Sequence, residues 1–186
     1  MMDGLSSRLH GTLPRLIPEA YRGRAFVHWT MSIDRRATGW LDPLHHAHLR
    51  ERLCHALCRH NVVCALYCLM PDHGHFLLCG TSGTSDQALA IRLFRREWNR
   101  LLAPARKLQP KSHDHLLRED ERAHDAFQRI AWYIAENPVR AGLVSDWQSW
   151  PYIGCMVPGT PDLDPRAPDY WEHFWRVWNR LSEQTE

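Results

Sequence analysis

His73 and His75 stand one residue apart in the run Leu69-Met70-Pro71-Asp72-His73-Gly74-His75-Phe76-Leu77-Leu78. Side chains alternate along a strand, so both imidazoles fall on one face and Gly74 on the other. Two imidazoles side by side on a rigid strand can form two arms of a metal site. The same spacing also suits two ordinary polar residues on a solvated strand, so the pair acquires meaning only with partners from elsewhere in the chain. One such place is the segment ending in Tyr133 and Asn137, four residues apart and therefore on one side of a helix.

The elements that must position these residues are legible from periodicity. Ala25 to Ile33 is rich in β-formers and reads as a first strand. A loop follows through Pro43, and from Leu44 to His60 the apolar residues Leu49, Leu53, Ala56 and Leu57 recur at helical spacing. Val62 to Met70 is almost continuously apolar, as in a strand covered on both faces. Pro71-Asp72 turns the chain, and His73 to Cys79 returns as the second arm of a hairpin. Thr84 and Gln87 have the spacing of a capping box ahead of a helix that runs to Leu102. Its buried stripe is Ile91, Phe94, Trp98 and Leu101. Arg92, Arg96 and Arg100 recur on a different face, a pattern shared by solvated helices and nucleic-acid surfaces.

Residues 103–113 are polar and read as a flexible loop, with a short edge segment over Asp114–Arg118. From Arg122 to Asn137 the stripe Phe127, Ile130, Ala131 and Ile134 predicts an amphipathic helix on the sheet, with Tyr133 beside the stripe. Pro138 suits the first turn of a new short helix ending near Gly142, which makes Asn137 a candidate cap as well. Residues 157–169 read as a linker, and Trp171, Phe174, Trp175, Trp178 and Leu181 mark a last helix whose aromatic face docks back onto the domain.

Length and composition bound the reading. At 186 residues, 44% hydrophobic and 24% charged, the chain supports one sizeable core with appended segments. The net charge of +2 neither demands nor excludes a polyanionic partner, and arginine outnumbers lysine, as suits phosphate recognition. No run is long and apolar enough for a membrane span, and residues 1–20 lack the apolar core of a secretory signal. The six cysteines therefore read as reduced, buried thiols of a cytoplasmic protein. Cys54 and Cys58 lack the second half of a zinc site.

Taken together, two motifs carry a resemblance. Met70-Pro71-Asp72-His73-Gly74-His75 is followed some sixty residues later by Trp132-Tyr133-Ile134-Ala135-Glu136-Asn137-Pro138-Val139-Arg140-Ala141-Gly142-Leu143-Val144. This pairing resembles the HUH-type single-tyrosine transposases, closest to the REP-associated tyrosine transposases of bacteria, over roughly residues 25–153. The resemblance implies an α+β fold: a compact ferredoxin-like domain with a central, largely antiparallel sheet of four to five strands packed by helices. It divides the chain into an N-terminal arm (1–24), the transposase domain (25–156), and a linker with a C-terminal amphipathic helix (157–186).

It further implies cleavage and rejoining of hairpin-bearing single-stranded DNA through a covalent 5′-phosphotyrosine, with Mg²⁺ or Mn²⁺ as cofactor. The place of action would be the bacterial nucleoid, as a monomer or homodimer. Tyr133 would be the nucleophile, and His73, His75 and Asn137 the metal ligands. Arg118 and Arg140, which lie in the matching segments, would contact DNA; charge and position alone add Arg92, Arg96, Arg100 and Lys111. Trp29 and Trp40 are candidate stacking surfaces for unpaired bases.

One departure stands out. Gly74 occupies a position where the family carries a bulky apolar residue, so a buried side chain is missing and the strand should be loosened. The competing function is therefore a binder of structured DNA with the same fold and no cleavage. A small metal-binding protein without a nucleic-acid partner is a third reading, which the long motif around Tyr133 disfavours.

Overall fold

The computed structural model describes residues 18–117 and 124–184. Five antiparallel strands form one sheet in the order β4-β1-β3-β2-β5. They are β1 (Phe26–Ser32), β2 (Val62–Met70), β3 (His73–Gly80), β4 (His113–Leu116) and β5 (Ile153–Met156). Helices α1 (Pro43–Cys58) and α2 (Gln87–Leu102) cover one face. The other face is covered by α3 (His124–Ala135) and the C-terminal helix α5 (Tyr170–Glu183), with the single-turn α4 (Asn137–Arg140) beside them. The expected mixed fold is thus present, with its C-terminal helix.

The pleat sorts the side chains. Val27, Trp29, Met31, Phe76 and Leu78 enter the core under α1 and α2. Leu77, Cys79, Leu66 and Cys68 enter the core under α3 and α5. β2 is buried at all nine positions, as its unbroken apolar run predicts. The docking of the last helix is also as expected: Phe174 is fully buried, and Trp171, Trp175 and Trp178 pack around it.

Several local readings are corrected. The cap of α2 is Asp86, whose carboxylate accepts the Leu89 N–H at 2.9 Å, and Thr84 lies in the preceding turn. Gln87 is drawn into the core, where its amide donates to the Ala25 carbonyl and accepts from Trp29 Nε1. The polar segment after α2 is pinned. Arg95 donates to the carbonyls of Gln109 and Pro110, Arg106 to that of Thr38, and Leu108 N–H to the Asn99 side chain. Residues 153–156, assigned no element above, form edge strand β5; four residues are too few to display an alternation. Trp29 and Trp40 are 5% and 2% exposed, and burial in the core removes both as base-stacking surfaces. Cys58, expected to be buried, is exposed at the end of α1.

Gly74 is corrected too. A Cβ built there would lie 2.9 Å from Phe76 Cε2 and 3.1 Å from Trp98 Cη2. The missing side chain leaves no hole, because two buried aromatic rings fill its space and the strand is packed at that point. Gly74→Leu therefore overpacks the core and should cost about 1–3 kcal/mol in urea unfolding. Shrinking the facing ring in Gly74→Leu/Trp98→Ala should leave the pair less destabilised than the sum of the single changes.

Candidate active site

His73 and His75 lie on the α3 face of β3, two residues apart as the spacing requires, and their Nε2 atoms approach to 3.0 Å. Each ring's other nitrogen is engaged. His73 Nδ1 lies 2.6 Å from Asp72 Oδ1, and Arg36 donates to the second oxygen of that carboxylate at 3.0 Å. Burial works to raise the Asp72 carboxyl, but the His73 hydrogen bond and the Arg36 charge outweigh it and hold it below the usual carboxylate range. His75 Nδ1 faces Thr30 Oγ1 at 3.1 Å and His28 Nε2 at 3.0 Å.

Strand register explains this assembly. Thr30 of β1 lies opposite His75, and on its other side β4 places His113 opposite Thr30 and His115 opposite His28. Burial pushes His75 down to about 2, aided by the neighbouring His28, and pushes His28 down to about 4. Both rings are neutral at physiological pH.

A carboxylate accepting the Nδ1–H of His73 leaves that ring's Nε2 with a lone pair. Thr30 and His28 offer acceptors for an Nδ1–H of His75, which would leave a second lone pair facing the first. Such an arrangement repels unless a cation meets both. Two nitrogens bound at about 2.1 Å and about a right angle to one ion would lie about 3.0 Å apart, so the pair fits a divalent cation of octahedral preference. No group of three or more His, Cys, Asp or Glu side chains forms a metal-holding cluster among the described residues. His28 meets the far nitrogen of His75, so it would orient that ring toward a metal without reaching the ion itself. A further protein ligand would have to be of another type, and the amide oxygen of Asn137 is of the right chemistry. Its Nδ2 donates to the carbonyls of Tyr133 and Ile134 at 3.1 and 3.2 Å, closing the end of α3 and leaving Oδ1 as its available donor atom. The α4 cap position is Glu136, not Asn137.

Tyr133 stands over this centre. Phe127, Ala131 and Ile134 bury α3 against the sheet and turn Tyr133 outward, 49% exposed. Its ring centroid lies 6.1 Å from that of His75 and 6.2 Å from that of His28. Arg140 holds it from the other side, with the guanidinium carbon 4.1 Å from the ring centroid and Nη2 donating to the Tyr133 carbonyl at 2.6 Å. A polar phenol, a cation and the imidazoles of His28, His73 and His75 thus converge at one end of the sheet, within a single chain.

Of the residues anticipated above, the structure brings His73, His75, Tyr133 and Arg140 together. Asn137 lies at the junction of α3 and α4. Lys111 is exposed two residues before the His113–Thr30–His75 row. Arg118 lies outside the described residues. Arg92, Arg96 and Arg100 line the outer side of α2, on the opposite layer from the imidazole pair, and the latter two share Glu97. His28, Thr30, Asp72 and Arg36 were missed. Alternation along β1 does place His28 and Thr30 on one face, but only the register with β3 shows that they meet His75.

No family model and no curated protein matches the chain. A solved structure of a REP-associated tyrosine transposase bound to a REP hairpin does match in fold, with a TM-score of 0.64 and 19% identity over 77% of this chain and 81% of that one. No described helix is long and apolar enough to cross a membrane.

Proposed function

We propose that the protein is a metal-dependent single-stranded DNA endonuclease and strand transferase that acts on hairpin-bearing DNA. The observation that carries the reading is the exposed Tyr133 ring, held by Arg140 over the convergent imidazoles of His73 and His75. The Tyr133 oxygen attacks the scissile phosphorus; the bond to the 3′ oxygen breaks as that to tyrosine forms. The phenol proton is lost to a base and the departing 3′ oxygen gains one, leaving a free 3′-hydroxyl and a 5′-phosphotyrosine. Reversal by another 3′-hydroxyl rejoins strands. Arg140, whose guanidinium lies over the Tyr133 ring, would supply a cation for the phosphate.

His73, His75 and Asn137 would hold Mg²⁺ or Mn²⁺, which neutralises charge on the non-bridging phosphate oxygens and orients the phosphate. Asp72 and Arg36 fix the His73 ring. Asp72→Asn should therefore weaken Mn²⁺ binding about 10–100-fold in a direct calorimetric titration, whatever happens to turnover. DNA contacts would come from Lys111 and Arg140 on the catalytic side, from Arg92, Arg96 and Arg100 on the other, and from Arg118. Tyrosine and histidines belong to one chain, so a single protomer carries the whole constellation, as a monomer or within a homodimer. The filled core around Gly74 supports the cutting reading over a binder of structured DNA with the same fold.

The test is product chemistry. A labelled hairpin oligonucleotide with single-stranded flanks, incubated with the protein and Mn²⁺, should yield an upstream fragment that a polymerase extends and a downstream fragment whose 5′ end is blocked. An upstream fragment ending in 3′-phosphate would overturn the mechanism.

A further inference from the structure

Four large apolar side chains are exposed among the described residues: Leu44, Trp132, Tyr133 and Leu143. Three of them fall between the end of α3 and the turn after α4, where the candidate nucleophile also lies. Exposed apolar groups scattered singly need no explanation, whereas several gathered beside a reactive centre mark a binding surface. Two of the three are aromatic and adjacent, Trp132 and Tyr133, while Trp29 and Trp40 are buried.

The helix explains this exposure. Phe127, Ala131, Ile134 and Ala135 face the core, so positions 128, 129, 132 and 133 form the outward side. Consecutive helical residues turn by about 100°, so the two rings diverge. Tyr133 leans over the imidazoles, and Trp132 leans toward the turn at Trp147–Ser149. There the Trp147 ring lies 6.5 Å from that of Trp132, with the planes at 79°. This edge contact steadies the indole and still leaves Trp132 61% exposed. Arg129 is exposed one turn before Tyr133, and Arg140 covers the Tyr133 ring. An aromatic plane set among cations suits an unpaired base between two backbone phosphates. A paired stem keeps its bases stacked on one another and has none to offer such a plane.

We propose that Trp132 is the stacking platform for one unpaired base of the single-stranded flank, next to the scissile phosphate. This rests on the DNA-processing reading above and adds to it the residue that sets the position of the strand. The Cα atoms of Trp132 and Tyr133 are about 3.8 Å apart, so a base held on the indole brings its neighbouring phosphate to the phenol. Stacking accepts any base, because every base has a π-face, and it favours those that stack most strongly.

The test uses the full chain and compares a hairpin carrying single-stranded flanks with a blunt one. Trp132→Ala should weaken binding of the flanked hairpin by about tenfold and leave the blunt hairpin within about twofold. Trp132→Phe should recover most of that loss. Abasic sites placed one at a time along the flank should find one position where the parent loses the same factor. At that position Trp132→Ala should lose nothing more. Unfolding midpoints of parent and variants should coincide, because the indole lies outside the core. Parental affinity of Trp132→Ala for the flanked hairpin would overturn the proposal. So would an equal loss on the blunt hairpin, or abasic and Trp132→Ala losses that add at every position. Unaltered DNA affinity with a changed oligomeric state would assign the face to a second copy of the chain instead. The coupling requires no cleavage. If it appeared in a protein that nicked nothing, the platform would stand and the enzymatic reading would fall.

Discussion

Tyr133→Phe should reduce DNA nicking by at least about 10³-fold while hairpin affinity stays within about twofold of the parent. The substitution deletes one oxygen. The ring that Arg140 covers at 4.1 Å remains, as does the carbonyl to which Arg140 donates, so the end of α3 and the guanidinium keep their places. Because Tyr133 projects from the outward side of α3 and does not fill the core, unfolding midpoints should also coincide. Nicking kinetics and binding isotherms measured side by side check this. A variant that nicked at the parental rate would remove Tyr133 as nucleophile and leave the surrounding histidines to be explained otherwise.

His75→Ala should abolish nicking and leave no Mn²⁺ binding in a calorimetric titration, and His73→Ala should do the same. The two should nevertheless differ in stability. His75 is buried, and its ring engages Thr30, His28 and His73 at once, so its removal opens a cavity and strips partners from buried polar groups. A loss of about 2–4 kcal/mol is expected at that position. His73 sits nearer the rim, where solvent can satisfy Asp72, and its loss should cost less. A folded His73→Ala protein that neither binds Mn²⁺ nor nicks would assign the defect to the site. Retained Mn²⁺ affinity in both variants would place the cation elsewhere.

Most of the framework was legible in the sequence because its signals are long. The apolar run of β2 is nine residues long and the stripes of α2 and α3 extend over enough residues to declare a period, while Pro71-Asp72 is a strong turn signal in itself. The histidine pair was legible because two-residue spacing on a strand has only one geometric meaning. What could not be read depends on pairing between distant segments. His28 and Thr30 reach His75 through the antiparallel register of β1 with β3, which no local pattern specifies. Asp72 reads as a turn residue until its carboxylate is seen between His73 and Arg36.

Gly74 shows the same limit in the core. A glycine facing inward reads as a deficit, and only the packing of Phe76 and Trp98 shows the volume to be filled. The arginines of α2 were correctly seen as one stripe, but periodicity within a helix does not say on which layer of the sheet that helix will lie.

The measurement that bears most directly on the central claim is identification of a covalent protein–DNA species. The protein would be incubated with Mn²⁺ and hairpin-bearing single-stranded DNA, denatured, digested and mapped by mass spectrometry. The account predicts a nucleotide phosphate attached to the oxygen of Tyr133 in the peptide that carries Asn137 and Arg140, and no such species from Tyr133→Phe. Efficient nicking with no adduct at Tyr133, or with the phosphate on another residue, would contradict it.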